Sequence, residues 1–376
     1  MIEDEEMRGF RDTCRRFAEK EIGPLVDSAE ASGTYPRELI AKAAENGFLG
    51  LTVAEEFGGA GGSLLHACVM IEEFSRVCAG LGTPMLGLGQ RLIPAYGTPE
   101  QVDRYLAPII SGEKLTAFAM TEPGAGSDVL AMRGTATRTA SGWHIKANKI
   151  YATGAPISDF MLVVVYTDRD KRRDGLSIFL VDSHLPGIEI HKMDKLGHSS
   201  METGIVYFDC EVPEDALLGE EGRGMAYVMS ALEEGRITHA ARSLGVARAA
   251  YEASVEYAGQ REVFGKTINQ NQVVQGKLSQ MLIDLTSARL HVYSAAELFE
   301  SGAPALVEAS MAKVVASEAA VGITDQAMRI FAGVGYINDA PVQRYFRDAR
   351  LYPISEGTNE IQHRTIARAA GLAGRG

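Results

Sequence analysis

The chain has 376 residues, enough to bury a large core in two or three domains. An apolar share of 46% and a charged share of 23% are those of a globular protein, and a net charge of −12 with no basic block argues against a nucleic-acid partner or an anionic membrane surface. Four scattered cysteines (Cys14, Cys68, Cys78, Cys210) read as free thiols of a reducing compartment, and no apolar run is long enough to span a bilayer.

Residues 1–114 read as an all-α domain. The acidic, helix-like start carries no secretory leader, which points to the cytoplasm, with a removed organellar presequence left open. Apolar and charged positions predict one helix over Arg11–Val26 and another over Pro36–Asn46. Gly58-Gly-Ala-Gly-Gly-Ser63 interrupts them as a turn. It fails as a dinucleotide fingerprint, because no third glycine stands at the right offset and no strand clearly precedes it. Gly87 and Gly89 read likewise, as loop or close-packing glycines.

Residues 115–219 change character. Phe160–Tyr166, Leu176–Val181 and Ile205–Phe208 are short β-rich runs between turns, which predicts a small β-barrel or sandwich. Trp143, in Ser-Gly-Trp-His, is expected to pack in its core or at its edge. Residues 220–376 return to long helices. Ile237, Ala240, Leu244, Ala247, Tyr251 and Ala258 hold a three-four spacing, as do Val274, Leu278, Met281, Leu285, Ala288, Val292 and Ala295. Pro304 suits the start of a third helix running to Ile330, and Thr358 can cap a closing helix that carries Ile361 and Ile366. The expected fold class is mainly α with a β middle domain, closed by an antiparallel four-helix bundle.

Candidate chemistry sits in a few stretches. Tyr352-Pro-Ile-Ser-Glu-Gly-Thr-Asn-Glu-Ile-Gln362 places Glu356 one residue before Gly357, at the mouth of the closing helix. A carboxylate there, beside permissive backbone and apolar neighbours, suits a general base. Phe118-Ala-Met-Thr-Glu-Pro-Gly-Ala-Gly-Ser-Asp128 joins Pro123, which fixes one φ, to Gly124 and Gly126, which let backbone approach a flat ligand. Its N–H groups, with the hydroxyls of Thr121 and Ser127, can form an anion nest. No GK[ST] follows, which excludes a P-loop. Tyr151 and Thr153, two apart on a strand, share a face and can look at one ring. The eight histidines show no ligand spacing, so no metal is expected.

Together these stretches resemble the acyl-CoA dehydrogenase family over nearly the whole chain. The matches are the TEPGAGSD loop at 121–128, the EGT segment at 356–358, Lys149-Ile-Tyr-Ala-Thr-Gly154 against K-x-W-I-T-N, Arg261 to Gln272 against R-x-x-F-G-x-x-x-x-x-x-Q, and Arg329 to Tyr336 against Q-x-x-G-G-x-G-Y. The α–β–α order is also the family's architecture. The resemblance implies FAD, contacted by Phe118, Thr121, Gly126, Ser127, Tyr151, Thr153, Arg329, Gly333, Thr358 and Glu360. Arg261, Phe264 and Gln272 would reach the FAD of a neighbouring subunit, which implies an oligomer, a homotetramer in this family. Acyl-CoA would be met by Ser127, Glu233, Arg236 and Gly357, and an electron-transfer flavoprotein would take the electrons. Tyr151, Gly154, Arg329 and Ala332 replace the commoner Trp, Asn, Gln and Gly; the last costs little unless that backbone needs φ > 0. In some relatives the base is a glutamate immediately before Arg236. Here that position is Gly235, and Glu234 is one residue early, about 100° round a helix, which leaves Glu356 as the expected base.

The implied reaction is α,β-dehydrogenation of an acyl thioester to the trans-2-enoyl product. Glu356 would take the α-proton on the face opposite the flavin, the β-hydrogen would leave as hydride to flavin N5, and the enolate oxygen would meet Glu356 N–H and a ribityl hydroxyl. A carrier-protein thioester in place of CoA stays open. A flavin monooxygenase of the same fold would typically lack the EGT glutamate, and a non-catalytic flavoprotein would have lost Glu356 or the 121–128 loop. Gly87, Leu88 and Gly89 fall where the family lines its acyl-tail pocket, and small residues there suit a long or branched chain.

Overall fold

Helix α1 (Glu5–Phe17) opens on Asp4, whose Oδ1 accepts from Met7 N at 2.8 Å. Its first turn carries Glu5 and Glu6 and its last Arg15 and Arg16, the order the helix dipole favours. The computed structural model describes residues 4–372. The single helix expected over Arg11–Val26 is broken in it. After Phe17 the chain widens into a π turn over Ala18–Ile22 and tightens into a 3-10 turn over Gly23–Leu25 before α2 (Val26–Ser32). Pro24 supplies the reason, since it has no N–H to continue the ladder. The region continues through α3 (Glu38–Glu45), α4 (Leu64–Gly82), α5 (Gly89–Tyr96), α6 (Pro99–Gln101) and α7 (Ala107–Ile110). The glycine run at 58–62 packs closely: a Cβ on Gly59 would lie 2.0 Å from the carbonyl oxygen of Val53.

The middle region is one bent sheet of β1 (Thr116–Ala119), β2 (Thr135–Arg138), β3 (Gly142–Thr153), β4 (Phe160–Tyr166), β5 (Leu176–Asp182), β6 (Ile188–Lys192) and β7 (Thr203–Pro213). Its order is β1-β4-β2-β3-β7-β6, with β5 antiparallel to β4 in the register Phe160↔Asp182 to Tyr166↔Leu176. Every residue of β4 is buried, because both faces are covered. Phe160, Leu162, Val164 and Tyr166 pack with Leu92, Ile93, Tyr105 and Leu106 of the helices, while Met161, Val163 and Val165 point into the half-barrel with Trp143 and Phe179. The period of two along the strand thus joins sheet to helices on one side and fills the barrel on the other. Trp143 is a core residue, with the Arg138 guanidinium 4.2 Å over its ring.

The C-terminal helices are α8 (Gly224–Gln260), α9 (Gln272–Glu300), α10 (Leu306–Phe331), α11 (Val342–Ala349) and α12 (Asn359–Ala369). A small hairpin, β8 (Glu262–Val263) with β9 (Lys266–Thr267), links α8 to α9. Most of their predicted stripes is buried, Ile237 to Ala247 with Ala258 and Met281 to Ala295, while Tyr251, Val274 and Leu278 are half-buried. Pro304 stands two residues before α10 begins. One apolar core runs through both helical regions, so that Phe74 of α4 and Leu244 of α8 belong to a single cluster. This is a helical region, a β half-barrel and a second helical region, as the fold class required.

Candidate active site

Glu356 sits where three elements meet. Thr358 caps α12, accepting from Ile361 N at 3.4 Å, and this stops the helix short of the glutamate. The preceding turn is tight: Glu356 has φ 55° and Gly357 φ 78°, and only the second is comfortable there. Gln362, wholly buried, holds the turn by donating from Nε2 to the carbonyls of Glu356 (3.1 Å) and Gly357 (3.0 Å). Asn359, also buried, accepts at Oδ1 from Lys313 Nζ at 2.8 Å and donates at Nδ2 to Ser317 Oγ at 3.1 Å. Burial pushes Lys313 down to about 8, against the pull of Glu356, Glu360 and Glu318.

The glutamate's side chain reaches α8. Its Oε2 lies 3.5 Å from where a Cβ on Gly235 would stand, so the missing side chain at 235 leaves room for it. Glu234 faces elsewhere and pairs with Arg91, Nε to Oε1 at 2.9 Å. Glu233 accepts from Ala305 N at 2.6 Å, at the start of α10. Arg236 is buried and donates to Ser310 Oγ at 3.3 Å; burial pulls its pKa down, opposed by Glu356 and Glu233. Behind the turn, His239 Nε2 lies 2.9 Å from Ser355 Oγ, and burial together with Arg242, Lys313 and His198 keeps its imidazole neutral. A cavity of about 70 Å³ opens beside Glu356, lined by Gly87, Leu88, Arg91, Thr238, His239 and Arg242 among others. Of the three residues expected to line an acyl pocket, Gly87 and Leu88 line this cavity, while a Cβ on Gly89 would meet Thr116 Cγ2 at 2.7 Å.

The 121–128 loop and the 149–154 strand are tied by a buried ion pair that sequence patterns did not single out. Lys149 Nζ donates to Glu122 Oε1 at 2.7 Å and to Met120 O at 3.0 Å. Glu122 also accepts from the backbone N–H of Arg133 (2.6 Å) and Gly134 (3.0 Å). Burial opposes its charge, but Lys149 and these donors outweigh it and hold the carboxyl below its ordinary range. Both residues stand in stretches the sequence singled out, the 121–128 loop and the 149–154 segment, but nothing local in either one pairs them. Just beyond Lys149 the pairing of β3 with β7 shifts register, and Tyr151 takes φ 56°. Tyr151 lies in the bulge and Thr153 in the regular pairing beyond it, and both are exposed on either side of buried Ala152, Tyr151 to 64%. Phe118 is half-buried on β1, Thr121 O accepts from Ile150 N at 2.9 Å, and Gly126 and Ser127 are exposed with open space around the glycine.

A second group gathers at the other end of the bundle. Tyr257 of α8 stacks on Phe331 of α10 at 4.0 Å, which brings the Arg261–Lys266 hairpin and the 329–336 segment together. From Gly235 to Tyr257 is about 33 Å of helix. One chain thus does not bring Arg261, Phe264, Gln272, Arg329 or Gly333 beside Glu356. Phe264 is 100% exposed at φ 52° in the hairpin, Tyr336 is 86% exposed, and Arg329 pairs with Asp325 at 2.8 Å. Ala332 has φ 52° and ψ −132°, so the backbone does need positive φ where alanine stands.

Six non-glycine residues among those described have positive φ, and four of them (Tyr151, Phe264, Ala332, Glu356) fall in the segments singled out for cofactor and base. Strain of this kind collects at functional sites. Exposed rings at Tyr151 and Phe264, open glycine backbone at 124 and 126, and the hydroxyls of Thr153 and Ser127 fit a flat, phosphate-bearing cofactor. A larger cleft of about 880 Å³ lies between α1, α8 and α9, away from Glu356, and its arginines include the partners of Glu72 and Glu73.

Comparison with known proteins gives the same family three times along the chain. The acyl-CoA dehydrogenase N-terminal domain matches residues 4–113, the middle domain 117–210 and the C-terminal domain 222–371. The chain is 40% identical to the mitochondrial short-chain specific acyl-CoA dehydrogenase of Bos taurus, over 95% of this chain and 88% of that one. It is 41% identical to a 3-(aryl)acrylate reductase of Clostridium sporogenes, over 95% and 96%. The structure of butyryl-CoA dehydrogenase from Megasphaera elsdenii superposes with a TM-score of 0.94 at 35% identity, covering 98% of this chain and 99% of that one. The chain belongs to the acyl-CoA dehydrogenase family of FAD-dependent oxidoreductases.

Proposed function

We propose that the chain catalyses α,β-dehydrogenation of an acyl-CoA thioester to the trans-2-enoyl-CoA, with Glu356 as the base that removes the α-proton. The observation that carries this reading is the placement of Glu356: its carboxylate projects against the side-chain-free Gly235, beside a cavity, with no ion pair or side-chain hydrogen bond among the described residues. A carboxylate left without a partner is available to take a proton. Its own N–H, in the strained turn that Gln362 holds, is the donor for the thioester oxygen as enolate character develops. Bound FAD would supply the acceptor for the β-hydrogen and its electron pair. Phe118, Thr121, Gly126, Ser127, Tyr151 and Thr153 would hold the flavin and pyrophosphate, and Thr358 and Glu360 the ADP half. Arg261, Phe264, Gln272, Arg329 and Gly333, gathered at the far end of the bundle, would serve a neighbouring subunit's cofactor; the 33 Å of helix between the two groups supports a site completed across an interface, in a homotetramer. Ser127, Glu233, Arg236 and Gly357 would position the thioester, and an electron-transfer flavoprotein would reoxidise the enzyme.

The test is an anaerobic titration of the purified flavoprotein with a panel of acyl-CoA thioesters while the flavin visible band is followed. Bleaching by one class supports the reading. A protein that holds FAD yet is bleached by no CoA ester, but is bleached by the same acyl group on a carrier protein, would transfer the reaction to that carrier.

A further inference from the structure

With Glu356 as the base of an acyl-thioester dehydrogenation, the cavity beside it bears on the acyl group itself, and the choice of acyl group rests on that reading. At about 70 Å³ the cavity is far smaller than the roughly 300–1,000 Å³ of pockets that take large ligands. Its walls are also not those a hydrocarbon tail would need. Leu86 and Leu88 give one apolar side, but α5 contributes Arg91 and α8 contributes Thr238, His239 and Arg242. Gly235, Thr238 and Arg242 follow the three-four spacing, so they line one face of α8, and the glycine opens that face to Glu356.

The two arginines differ. Arg91 is committed, with Nε 2.9 Å from Glu234 Oε1 and Nη2 donating to Thr238 Oγ1 at 3.3 Å. Arg242 makes no hydrogen bond and no ion pair among the described residues; the Nε of both arginines is buried without a hydrogen-bond partner, but only Arg91 has a carboxylate beside it. Burial pulls the pKa of Arg242 down, opposed by Tyr352 first and then by the carboxylate of Glu356. A half-buried guanidinium without a partner is favourably completed by a ligand that brings a counter-charge. Glu356 gives up its charge each time it takes a proton, and His239 is neutral, so an uncharged acyl chain would leave Arg242 with no counter-charge at that moment.

We propose that the acyl group this site takes is short and ends in a carboxylate, which Arg242 receives with Arg91 beside it. A guanidinium presents paired donors in the geometry of a carboxylate, which makes the contact selective as well as attractive. Arg242 and Arg91 are then specificity-determining residues that face the end of the acyl chain remote from the thioester.

The holoenzyme is assayed for kcat/KM with CoA thioesters of straight four-, five- and six-carbon monocarboxylic acids and of the dicarboxylic acids of the same lengths. The expected result is a preference of tenfold or more for a dicarboxylic thioester. Arg242→Met should lower the dicarboxylic-to-monocarboxylic ratio by roughly 10- to 100-fold, the scale of one charge-assisted hydrogen-bonded contact, with Arg242→Lys recovering part of it. A wild-type preference for the monocarboxylic series at every length overturns the proposal and leaves the dehydrogenase reading standing. So does an Arg242→Met ratio equal to the wild type's, which would assign Arg242 to Glu356 alone. Reduction by neither series overturns both readings. Should Arg242→Met fail to fold, the wild-type ratio decides.

Discussion

Two groups of carboxylates in this molecule sit among arginines, and they have opposite fates. Glu72 and Glu73, adjacent on α4, are buried and fully engaged. Glu73 Oε1 meets Arg11 at 2.9 Å and Arg248 at 2.7 Å, with Arg15 at 3.4 Å and Arg76 at 3.5 Å on Oε2. Glu72 accepts from Tyr293 Oη at 2.7 Å and pairs with Arg248, Arg289 and Arg11. This network ties α1 and α4 of the first helical region to α8 and α9 of the second. Glu356 also lies in the field of Arg236, Arg242 and Lys313, yet its carboxylate pairs with none of them. A carboxylate whose lone pairs are all taken holds elements together; one left free on a strained turn can exchange a proton. Removing each should therefore give opposite signatures, one in rate and one in stability.

The largest effect is expected at the free carboxylate. Glu356→Gln should slow flavin reduction by acyl-CoA on the order of 10⁴-fold, the upper range for loss of a positioned base. FAD content and melting temperature should stay near wild type, because the side chain supports no packing or pairing. Anaerobic stopped-flow on the flavin band reads the rate. Reduction at the wild-type rate would sink the base assignment and return attention to Glu234.

Glu73→Gln should show the reverse: little change in the reduction rate and a loss of about 3–5 kcal/mol in unfolding free energy, since the arginines are left buried around a neutral group. Urea titration measures it. The acid limb sharpens the contrast. Burial opposes the charge on Glu73, but Arg248, Arg11 and Arg15 outweigh it and bring the pKa to about 2 from an ordinary 4.5. A depressed carboxylate contributes stability above its unfolded pKa, and that contribution is lost as pH falls from about 4.5 towards 2. The wild type should lose roughly 3 kcal/mol over that window from this group, and Glu73→Gln should not.

Lys149→Met tests an intermediate case, a structural ion pair placed under a cofactor segment. Glu122 would keep its two backbone donors, so the cost should be smaller, about 2–3 kcal/mol. Unlike Glu73→Gln, this variant should also bind FAD more weakly, because the pair fixes the 121–128 loop against the strand carrying Tyr151 and Thr153. Equilibrium dialysis of the flavin separates the two.

Much of this was legible in the sequence where one periodicity governs a whole element. The stripes of α8 and α9 and the apolar run of β4 are set by burial on a known face, and the structure buries all of the β4 run and most of both stripes, with Tyr251, Val274 and Leu278 half-buried. What was not legible depends on contacts between distant segments. Arg91 and Arg242 are 151 positions apart and meet only through the packing of α5 on α8; neither carries a local signal. Glu122 and Lys149 pair across 27 positions, and the cluster at Glu72 joins four helices. The break in the first helix is not read from Pro24, visible as it is, because a long amphipathic pattern outweighs a single proline.

The smallest effect comes from backbone strain, and it tests whether positive φ at the cofactor segments is functional or merely tolerated. Ala332 holds φ 52° and ψ −132° where glycine is at ease and a Cβ is not. Strain of this kind costs about 1–3 kcal/mol, while the extra freedom glycine gives the unfolded chain takes back about 0.4–1 kcal/mol. Ala332→Gly should therefore stabilise the protein by about 1 kcal/mol in a urea titration. At Glu356, also at positive φ, the side chain is indispensable and no such relief is open. If Ala332→Gly instead destabilises, the residue's methyl group must be packing against something outside this chain. The exposure of Ala332 in the isolated protomer and its place beside the α8–α9 hairpin would then point to the subunit interface as what holds the strain.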